Sequence, residues 1–282
     1  MVSSGRLADA EQVLRKAIAE TPDSAELHGE LGMLLYGWSR YEEAVEQLGR
    51  AAQMEPDSAR YSMALAEALI GWRHFAVAVD FLRAVASKFD RLPEYHYNLG
   101  LAYYGVKDYS SARSEFEKTA KIAPKLAPAY FFLGNSYAAM GDLAAGVQQY
   151  RKALELEPDR AAYFLALGRV LSRLGPEHET EALRWIRKSL ALKPDDAPSK
   201  YYLALAYEKT GDLRGAKTLL EEVAQRYPED LAPHIALARV YNRLKEREKA
   251  DREGAVVRRL EQEQLQKKRL PPPSLLDEDP PR

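Results

Sequence analysis

One pattern returns every 34 residues along most of the chain, and it restricts the possible folds more than any other property of the sequence. Within residues 127–160 it contains two apolar stripes at helical spacing, and Gly141 and Asp142 break the chain between them. Pro158 closes the unit, because proline cannot continue a helix. The seventh place of every window is leucine: Leu31, Leu65, Leu99, Leu133, Leu167, Leu203 and Leu237. Seven windows in phase predict a chain built from repeated pairs of helices.

The place after each leucine always holds a small residue: Gly32, Ala66, Gly100, Gly134, Gly168, Ala204 and Ala238. A glycine or alanine where two helices cross lets their backbones approach closely. The pattern resembles that of the tetratricopeptide repeat family, whose helix-turn-helix unit also has 34 residues. The resemblance implies an all-α fold, a right-handed superhelical solenoid of helix-turn-helix repeats in which each repeat contacts its neighbours.

The period also predicts the boundaries of the repeats. Seven are expected within residues 25–264, at 25–58, 59–92, 93–126, 127–160, 161–196, 197–230 and 231–264. Residues 1–24 match only the second helix of a unit, and this half repeat indicates either a fragment cut from a longer protein, which we favour, or an N-terminal cap. Residues 265–282 are expected to contain the end of a terminal helix, near Arg269, and a disordered tail rich in proline and acid.

The fifth repeat differs from the others in its turn. It carries two additional residues between Gly175 and Glu181, after which the pattern resumes in phase with Ala182. Loops accept such insertions at little cost in stability. We therefore predict that the insertion changes the turn and leaves the repeat intact.

Composition and charge exclude several classes of protein. The formal net charge of -1 predicts no general attraction to nucleic acid or anionic membranes. Cysteine is absent, which excludes disulfides and cysteine-ligated zinc. No run of about 18 apolar residues is present, and the first ten residues lack the basic and apolar segments of a signal peptide. We expect a soluble, cytoplasmic protein, or a periplasmic or secreted one if an N-terminal segment is missing.

The sequence contains no combination of side chains that predicts catalysis. His28, His96 and His234 occupy the fourth place of their repeats, on the stripe that packs between helices, and these repeats are not adjacent. A metal site needs its ligands gathered in one geometry, so the three are interpreted as packing residues. His178 lies in the acidic insertion and is interpreted as part of a solvated loop. Without a glycine-rich phosphate loop or a facing acid–base pair, we predict a non-enzymatic protein with no cofactor and no metal.

A second stripe runs along the first helix of each repeat, at places 2, 5, 9 and 12. In the resembling family this stripe lines a concave groove that binds peptides. In the N-terminal half of this chain, the stripe and its neighbours are aromatic, aliphatic or amide-bearing: Tyr36, Tyr97, Asn98, Leu101, Tyr104, Phe131 and Asn135. In the C-terminal half they are mostly basic: Arg169, Arg173, Tyr201, Lys209, Arg239 and Arg243.

Both sets also have a simpler interpretation, in which the aromatic side chains pack on neighbouring repeats and the basic ones form a solvated face. We predict that they bind a partner, because the apolar content exceeds what a solvated face needs. The basic residues also recur at the ninth and thirteenth places of three repeats. The expected ligand is a protein or peptide with apolar residues toward one end and acidic residues or a free carboxylate toward the other.

The predicted function is a non-enzymatic protein-interaction scaffold. Alternatives are a docking or regulatory region of a larger enzyme or of a secretion or assembly protein, RNA binding by the basic row, and self-association through the half repeat. The near-neutral net charge disfavours RNA binding. The carboxylate clamp of the family's co-chaperones is not matched here, because Phe131 and Ala166 stand beside Asn135 where clamp residues are expected.

Overall fold

The computed structural model describes residues 2–269, with the side chains of residues 9–266. The regular structure within this range is helical, in sixteen α-helices and one short 3-10 helix. The predicted all-α solenoid of helix-turn-helix repeats is confirmed. The chain separates into two compact units, residues 1–158 (unit 1) and residues 159–282 (unit 2).

Unit 1 is a row of helices in which most consecutive members pack on one another. They are α1 (Val2–Glu20), α2 (Ala25–Gly37), α3 (Tyr41–Met54), α4 (Ala59–Gly71), α5 (Phe75–Ala84), α6 (Ala86–Phe89), α7 (Pro93–Gly105), α8 (Tyr109–Ile122), α9 (Ala127–Ala139) and α10 (Leu143–Leu156). Helices α5 and α6 lie where the other repeats have one second helix, and the break falls at Val85. Helix α7 packs mainly on α4 and α5 rather than on the short α6. Pro93 opens α7, a position at which its missing N–H costs nothing.

Unit 2 has the same order of paired helices. Its elements are α11 (Ala161–Leu174), the 3-10 helix (Pro176–His178), α12 (Glu179–Leu192), α13 (Ala197–Thr210), α14 (Leu213–Arg226), α15 (Leu231–Arg243) and α16 (Arg247–Arg269). The 3-10 helix occupies the predicted insertion. The tail that the sequence predicts to be disordered, residues 270–282, lies outside the described residues.

The small residue at the eighth place is required by the crossing of the two helices in a repeat. A Cβ added to Gly134 would lie 2.8 Å from the ring of Tyr150, and one added to Gly100 would lie 2.7 Å from the ring of Phe116. Both distances are shorter than carbon atoms tolerate, so a larger side chain would push the helices apart. The leucine before the glycine is buried in each case, as with Leu133 and Leu99 at 5% exposure.

The turn between the paired helices depends on one left-handed residue. At the fifteenth place of the repeat, Gly141 and Gly211 both have φ of 91°. Non-glycine residues take a similar conformation at the same place in other repeats: Ser39, Arg73, Lys107 and Lys245. The aspartate that follows Gly141, Asp142, caps α10 by accepting a hydrogen bond from the backbone N–H of Ala145 at 3.0 Å. This geometry explains why a glycine–aspartate pair recurs at the turn.

Candidate functional site

The predicted aromatic residues of unit 1 lie mainly in a packed cluster around Phe132. The ring centroid of Phe132 lies 6.0 Å from that of Tyr97, 6.2 Å from that of Tyr104 and 5.2 Å from that of Phe131. Leu101 packs in the same cluster. Edge-to-face ring contacts of this kind stabilise a core as well as a surface, so these four predicted residues contribute to packing within and between repeats.

The other three predicted residues of unit 1 lie around this cluster. Asn98 is only 2% exposed, and its amide lies beside the Glu67 carboxyl. Burial raises the pKa of that carboxyl, and the Asn98 amide partly opposes this effect. Asn135 is half-buried and accepts a hydrogen bond from the Tyr150 hydroxyl at 2.7 Å. Tyr36 is 36% exposed and its ring contacts that of Tyr41 edge-on, with the centroids 5.8 Å apart. Among the seven, Tyr36 offers the most surface to a partner.

Unit 2 contains a cavity with three tyrosines in its wall. The cavity has a volume of about 530 Å³ and lies between α11, the first turns of α13 and α15, and the end of α14. We call it the tyrosine cavity; its lining residues are Arg169, Ala197, Pro198, Tyr201, Tyr202, Val223, Tyr227, Asp230, Ala232 and Pro233. Burial and the neighbouring Tyr202 raise the pKa of Tyr201, and Arg239 opposes this effect. The wall is mainly apolar, and its polar groups are the tyrosine hydroxyls, the guanidinium of Arg169 and the carboxylate of Asp230.

A second cavity of about 530 Å³ lies at the opposite ends of α11 and α13. We call it the basic cavity; it is lined by Ser172, Arg173, Gly175, Pro176, Glu179, Lys209 and Thr210. A smaller cavity of about 140 Å³ shares Arg169 and Tyr202 with the first and Ser172, Arg173 and Lys209 with the second. The three cavities are therefore adjacent, and together we call them the unit 2 groove.

A comparison of equivalent places in the two units explains why the groove is open. Phe132 in unit 1 and Tyr202 in unit 2 both stand at the sixth place of their repeats. In unit 1, large rings at places 5, 12 and 24 of the preceding repeat surround this position: Tyr97, Tyr104 and Phe116. The equivalent residues of unit 2 are smaller: Leu165, Ser172 and Ile186. The space that rings fill in unit 1 is therefore left partly empty beside Tyr202.

Two of the predicted basic residues are engaged with a buried carboxylate. Arg239 donates two hydrogen bonds of 2.6 Å to the two carboxylate oxygens of Glu208. Arg243 donates from Nη1 to the backbone carbonyl of Glu208 at 2.7 Å. Glu208 is only 6% exposed, so this fork joins α13 to α15 through a charge that burial has removed from water. The hydrogen bonds with Glu208 raise the pKa of Arg239.

The other three basic residues line the groove. The Arg169 guanidinium carbon lies 4.4 Å from the centroid of the Tyr202 ring, a cation–π contact. Lys209 donates from Nζ to the carbonyl and hydroxyl oxygens of Ser172, at 2.6 and 2.8 Å, and lies 3.5 Å from a carboxylate oxygen of Glu179. The exposed side chain of Arg173 makes no hydrogen bond or ion pair with the described residues. Arg173 is therefore the groove cation most available to an anionic ligand.

Several residues of the groove are absent from the predicted set. Ser172 and Glu208 stand at the twelfth place, on the stripe that was expected to face a ligand, so the repeat pattern already contained them. Tyr202 stands one place beyond the stripe. Tyr227 precedes the closing proline of its repeat, where no periodic signal marks it. Glu179 lies in the insertion and is 7% exposed, which differs from the solvated loop that the sequence predicts there.

The histidines at the fourth place are buried, with exposures of 1%, 6% and 7% for His28, His96 and His234. Each Nδ1 lies 2.6–2.7 Å from a side-chain oxygen nineteen residues later: Gln47, Glu115 and Glu253. Each Nε2 lies close to a backbone carbonyl six residues earlier: Pro22, Asp90 and Pro228. The histidines thus tie the two helices of a repeat to the preceding turn.

The described residues contain neither a metal-binding cluster nor a helix suited to span a membrane. In residues 2–269, no group of three or more histidine, aspartate or glutamate side chains is placed to hold a metal ion. Within the same range, no helix combines the length and the apolar character needed to cross a bilayer.

Four sequence models of one repeat family match this chain. Models described as "Tetratricopeptide repeat" match residues 1–68, 93–126 and 199–230, and a model described as "TPR repeat" matches residues 134–175. Together they cover more than half of the chain. None of the curated proteins matches it in sequence.

Solved structures of repeat proteins resemble the fold. A chain of the APC/C hetero-tetramer Cut9–Hcn1 is 15% identical over 90% of this chain, with a TM-score of 0.72. The match spans 50% of that chain, so the present chain corresponds to about half of its length. PilF of Pseudomonas aeruginosa is 18% identical, with a TM-score of 0.65 over 76% of this chain and 97% of that one.

A third solved structure is that of YrrB, a TPR protein described as having an unusual peptide-binding site. It is 19% identical, with a TM-score of 0.51 over 66% of this chain and 95% of that one. At identities this low, the likeness of all three structures to this chain concerns the fold alone.

Proposed function

Since the chain belongs to the tetratricopeptide repeat family, we propose that it is a scaffold that binds a peptide segment of its protein partner in the unit 2 groove. The family and the fold support a role in protein–protein interaction, and they are typical of repeat proteins without catalytic activity. The peptide and its place of binding are the parts that go beyond family membership.

One observation carries the proposal: the groove joins two cavities of different chemistry. The tyrosine cavity provides apolar ring surface and two prolines, Pro198 and Pro233. The basic cavity has Arg173 and Lys209 in its wall, with Arg173 free of internal partners among the described residues. Tyrosine gives large contact area at low cost in side-chain entropy, and arginine can grip a carboxylate with two parallel hydrogen bonds. A peptide with an apolar residue and an acidic residue or free carboxylate fits both ends.

The distance between the two ends sets the spacing of the ligand. Tyr201 and Lys209 lie eight residues apart on α13, which corresponds to about 12 Å at 1.5 Å per residue. An extended peptide covers that length in about four residues, at about 3.3 Å each. We therefore expect the carboxylate about four residues from the apolar residue.

The proposed contact does not include the predicted binding residues that lie outside the groove. Arg239 and Arg243 are engaged with Glu208, and the unit 1 rings are engaged with one another. Binding through Tyr36 and its neighbours, self-association through α1, and a cytoplasmic location stay predictions from the sequence.

A peptide library displayed on phage tests the proposal. Peptides selected on the full chain are synthesised, and their affinity is measured by isothermal titration calorimetry against wild type, Arg173→Glu, Tyr201→Ala and Arg214→Glu. Arg214 is an exposed arginine on α14 whose side chain has no ion pair in the described part of the chain, so it serves as the matched control. Circular dichroism first establishes that all four proteins fold equally.

The selected peptides should contain an acidic residue about four positions from an apolar one. Arg173→Glu should weaken binding at least about tenfold, and more at low salt, because it replaces an attractive charge with a repulsive one. Tyr201→Ala should weaken binding by a similar factor, and Arg214→Glu should leave it unchanged within about twofold. Peptides that bind wild type and Arg173→Glu equally would place the binding surface elsewhere.

A further inference from the structure

The chain carries a sequence with the chemistry that the unit 2 groove requires. Residues 270–282 read LPPPSLLDEDPPR, with prolines and leucines followed by three acids. Pro273 and Asp277 are four residues apart, and so are Leu275 and Asp279. This is the spacing that the distance between the two ends of the groove predicts. The segment lies outside the described residues.

The charges of the two parts are opposite in sign. Residues 270–282 contain three acidic side chains and one arginine. The groove presents Arg169, Arg173 and Lys209 together with two carboxylates, Glu179, which is buried beneath Lys209, and Asp230, which caps α15 beside the tyrosine cavity. Arg173 has no partner among the described residues. An acidic segment would therefore supply the counter-charge that this guanidinium lacks.

The segment follows α16, so it starts in unit 2, which contains the groove, and on the side of the tyrosine cavity. Three residues, Leu244 to Glu246, connect α15 to α16, and a connection this short makes neighbouring helices antiparallel. Helix α16 therefore runs back toward the first turn of α15, where Ala232 and Pro233 line the tyrosine cavity. A chain that leaves α16 after Arg269 meets the tyrosine cavity before the basic cavity. The segment has the same order as the two cavities, because its apolar residues come before its acidic ones.

The length of the segment restricts the register in which it can reach the groove. Thirteen extended residues span at most about 43 Å, at about 3.3 Å each. In the register that places Leu275 in the tyrosine cavity and Asp279 at the basic cavity, the six residues from Arg269 to Leu275 span at most about 20 Å. The four residues from Leu275 to Asp279 then cover the distance of about 12 Å from Tyr201 to Lys209.

We propose that residues 270–282 of this chain occupy the unit 2 groove, with their apolar residues in the tyrosine cavity and their acids beside Arg173 and Lys209. The segment acts as an internal competitor of the peptide partner. Because it is tethered, its effective concentration at the groove is in the millimolar range, so a partner binds only when its affinity displaces the segment. This inference rests on the proposed function, since it assigns an internal regulator to the same groove.

A fluorescent synthetic peptide with the sequence of residues 270–282 tests the proposal by anisotropy. It is titrated with the full wild-type chain and with a full-length tail variant that carries Asp277→Asn, Glu278→Gln and Asp279→Asn. If the native segment occupies the groove, the free peptide should bind the tail variant at least about tenfold more tightly than wild type, because the apparent affinity falls with the fraction of open groove. Adding Arg173→Glu to the tail variant should weaken binding about tenfold, whereas adding Arg214→Glu should not.

The outcomes separate this inference from the proposed function. Equal affinity for wild type and the tail variant would show that the groove is open in the native chain, and the inference would be overturned. Failure of the peptide to bind either protein would overturn it as well. In both cases the library peptides and their dependence on Arg173 decide the proposed function independently. Tight binding to the tail variant that does not depend on Arg173 would move the segment to another surface and also overturn the inference.

Discussion

Replacing Arg239 tests whether the fork between α13 and α15 is structural. The Glu208 side chain is 8% exposed, while the Arg239 side chain is 52% exposed. In Arg239→Met the carboxylate stays buried and loses two hydrogen bonds of 2.6 Å. Breaking a fully buried pair costs about 3–5 kcal/mol and breaking an exposed one about 0–1 kcal/mol. This pair is intermediate and Arg243 lies 3.7 Å from the same carboxylate, so we expect a loss of about 2–3 kcal/mol.

The opposite substitution should cost less. In Glu208→Met the arginine that remains is half-exposed and can be solvated, so the loss should be about 1 kcal/mol or less. The double variant should resemble Glu208→Met, because the unpaired buried charge is then absent. The two single effects would therefore be strongly non-additive. Such an asymmetry distinguishes a buried carboxylate from an ordinary surface ion pair.

Urea denaturation followed by circular dichroism gives the free energies of unfolding. Hydrogen exchange measured by mass spectrometry places the change within α13 and α15, which matters because repeat arrays often unfold in parts. Arg214→Met serves as the control and should lie within about 0.5 kcal/mol of wild type. A loss below about 0.5 kcal/mol for Arg239→Met, or additive effects in the double variant, would refute the reasoning. Arg239 would then be available to a ligand, as the sequence suggests.

Six further substitutions at four positions test the packing and the turn of the repeat, each by urea denaturation. Gly134→Ala should destabilise the protein by about 1–3 kcal/mol, because the added Cβ would lie 2.8 Å from a tyrosine ring. Gly49→Ala should stabilise it by about 0.5–1 kcal/mol, because the space around Gly49 is open. Glu115→Gln should cost less than about 1 kcal/mol, because the equivalent histidine of the first repeat is hydrogen-bonded to the side-chain amide of a glutamine. Glu115→Ala should cost about 1–3 kcal/mol, because it leaves His96 Nδ1 unsatisfied. Lys107→Gly should stabilise by about 0.5 kcal/mol, because φ there is 67°, while Lys107→Ala should give no gain.

Much of the fold could be predicted from the sequence because the repeat applies the same physical constraint many times. Gly134 must be small where Tyr150 crosses it, and the same pair of places is occupied by Gly100 and Phe116 one repeat earlier. A constraint that returns every 34 residues is visible without structural data. The break of the second helix at Val85 was not visible in this way, because it occurs in one repeat only.

The candidate site was harder to predict, because the partners of its charges lie in another repeat. Arg239 and Glu208 are 31 residues apart, and Lys209 and Ser172 are 37 residues apart. The stripe shows that these side chains share a face, but it does not show which of them pair with one another. In both pairs, a cation at place 9 or 13 meets place 12 of the preceding repeat. To predict these pairs one needs the geometry of stacked repeats, which cannot be read from the sequence of one repeat.

The insertion in the fifth repeat shows how a change in a turn affects a binding surface. Gly175, Pro176 and Glu179 all line the basic cavity, and the 3-10 helix within the insertion leads directly into α12 at Glu179. Both oxygens of the Glu179 carboxylate accept from the Ser172 hydroxyl at 3.0 Å, and one of them lies 3.5 Å from Lys209 Nζ. The enlarged turn thus supplies one wall of the basic cavity and a buried charge that holds Lys209. The turn tolerates them without disturbing the repeat, so this surface can change while the packing of the helices stays the same.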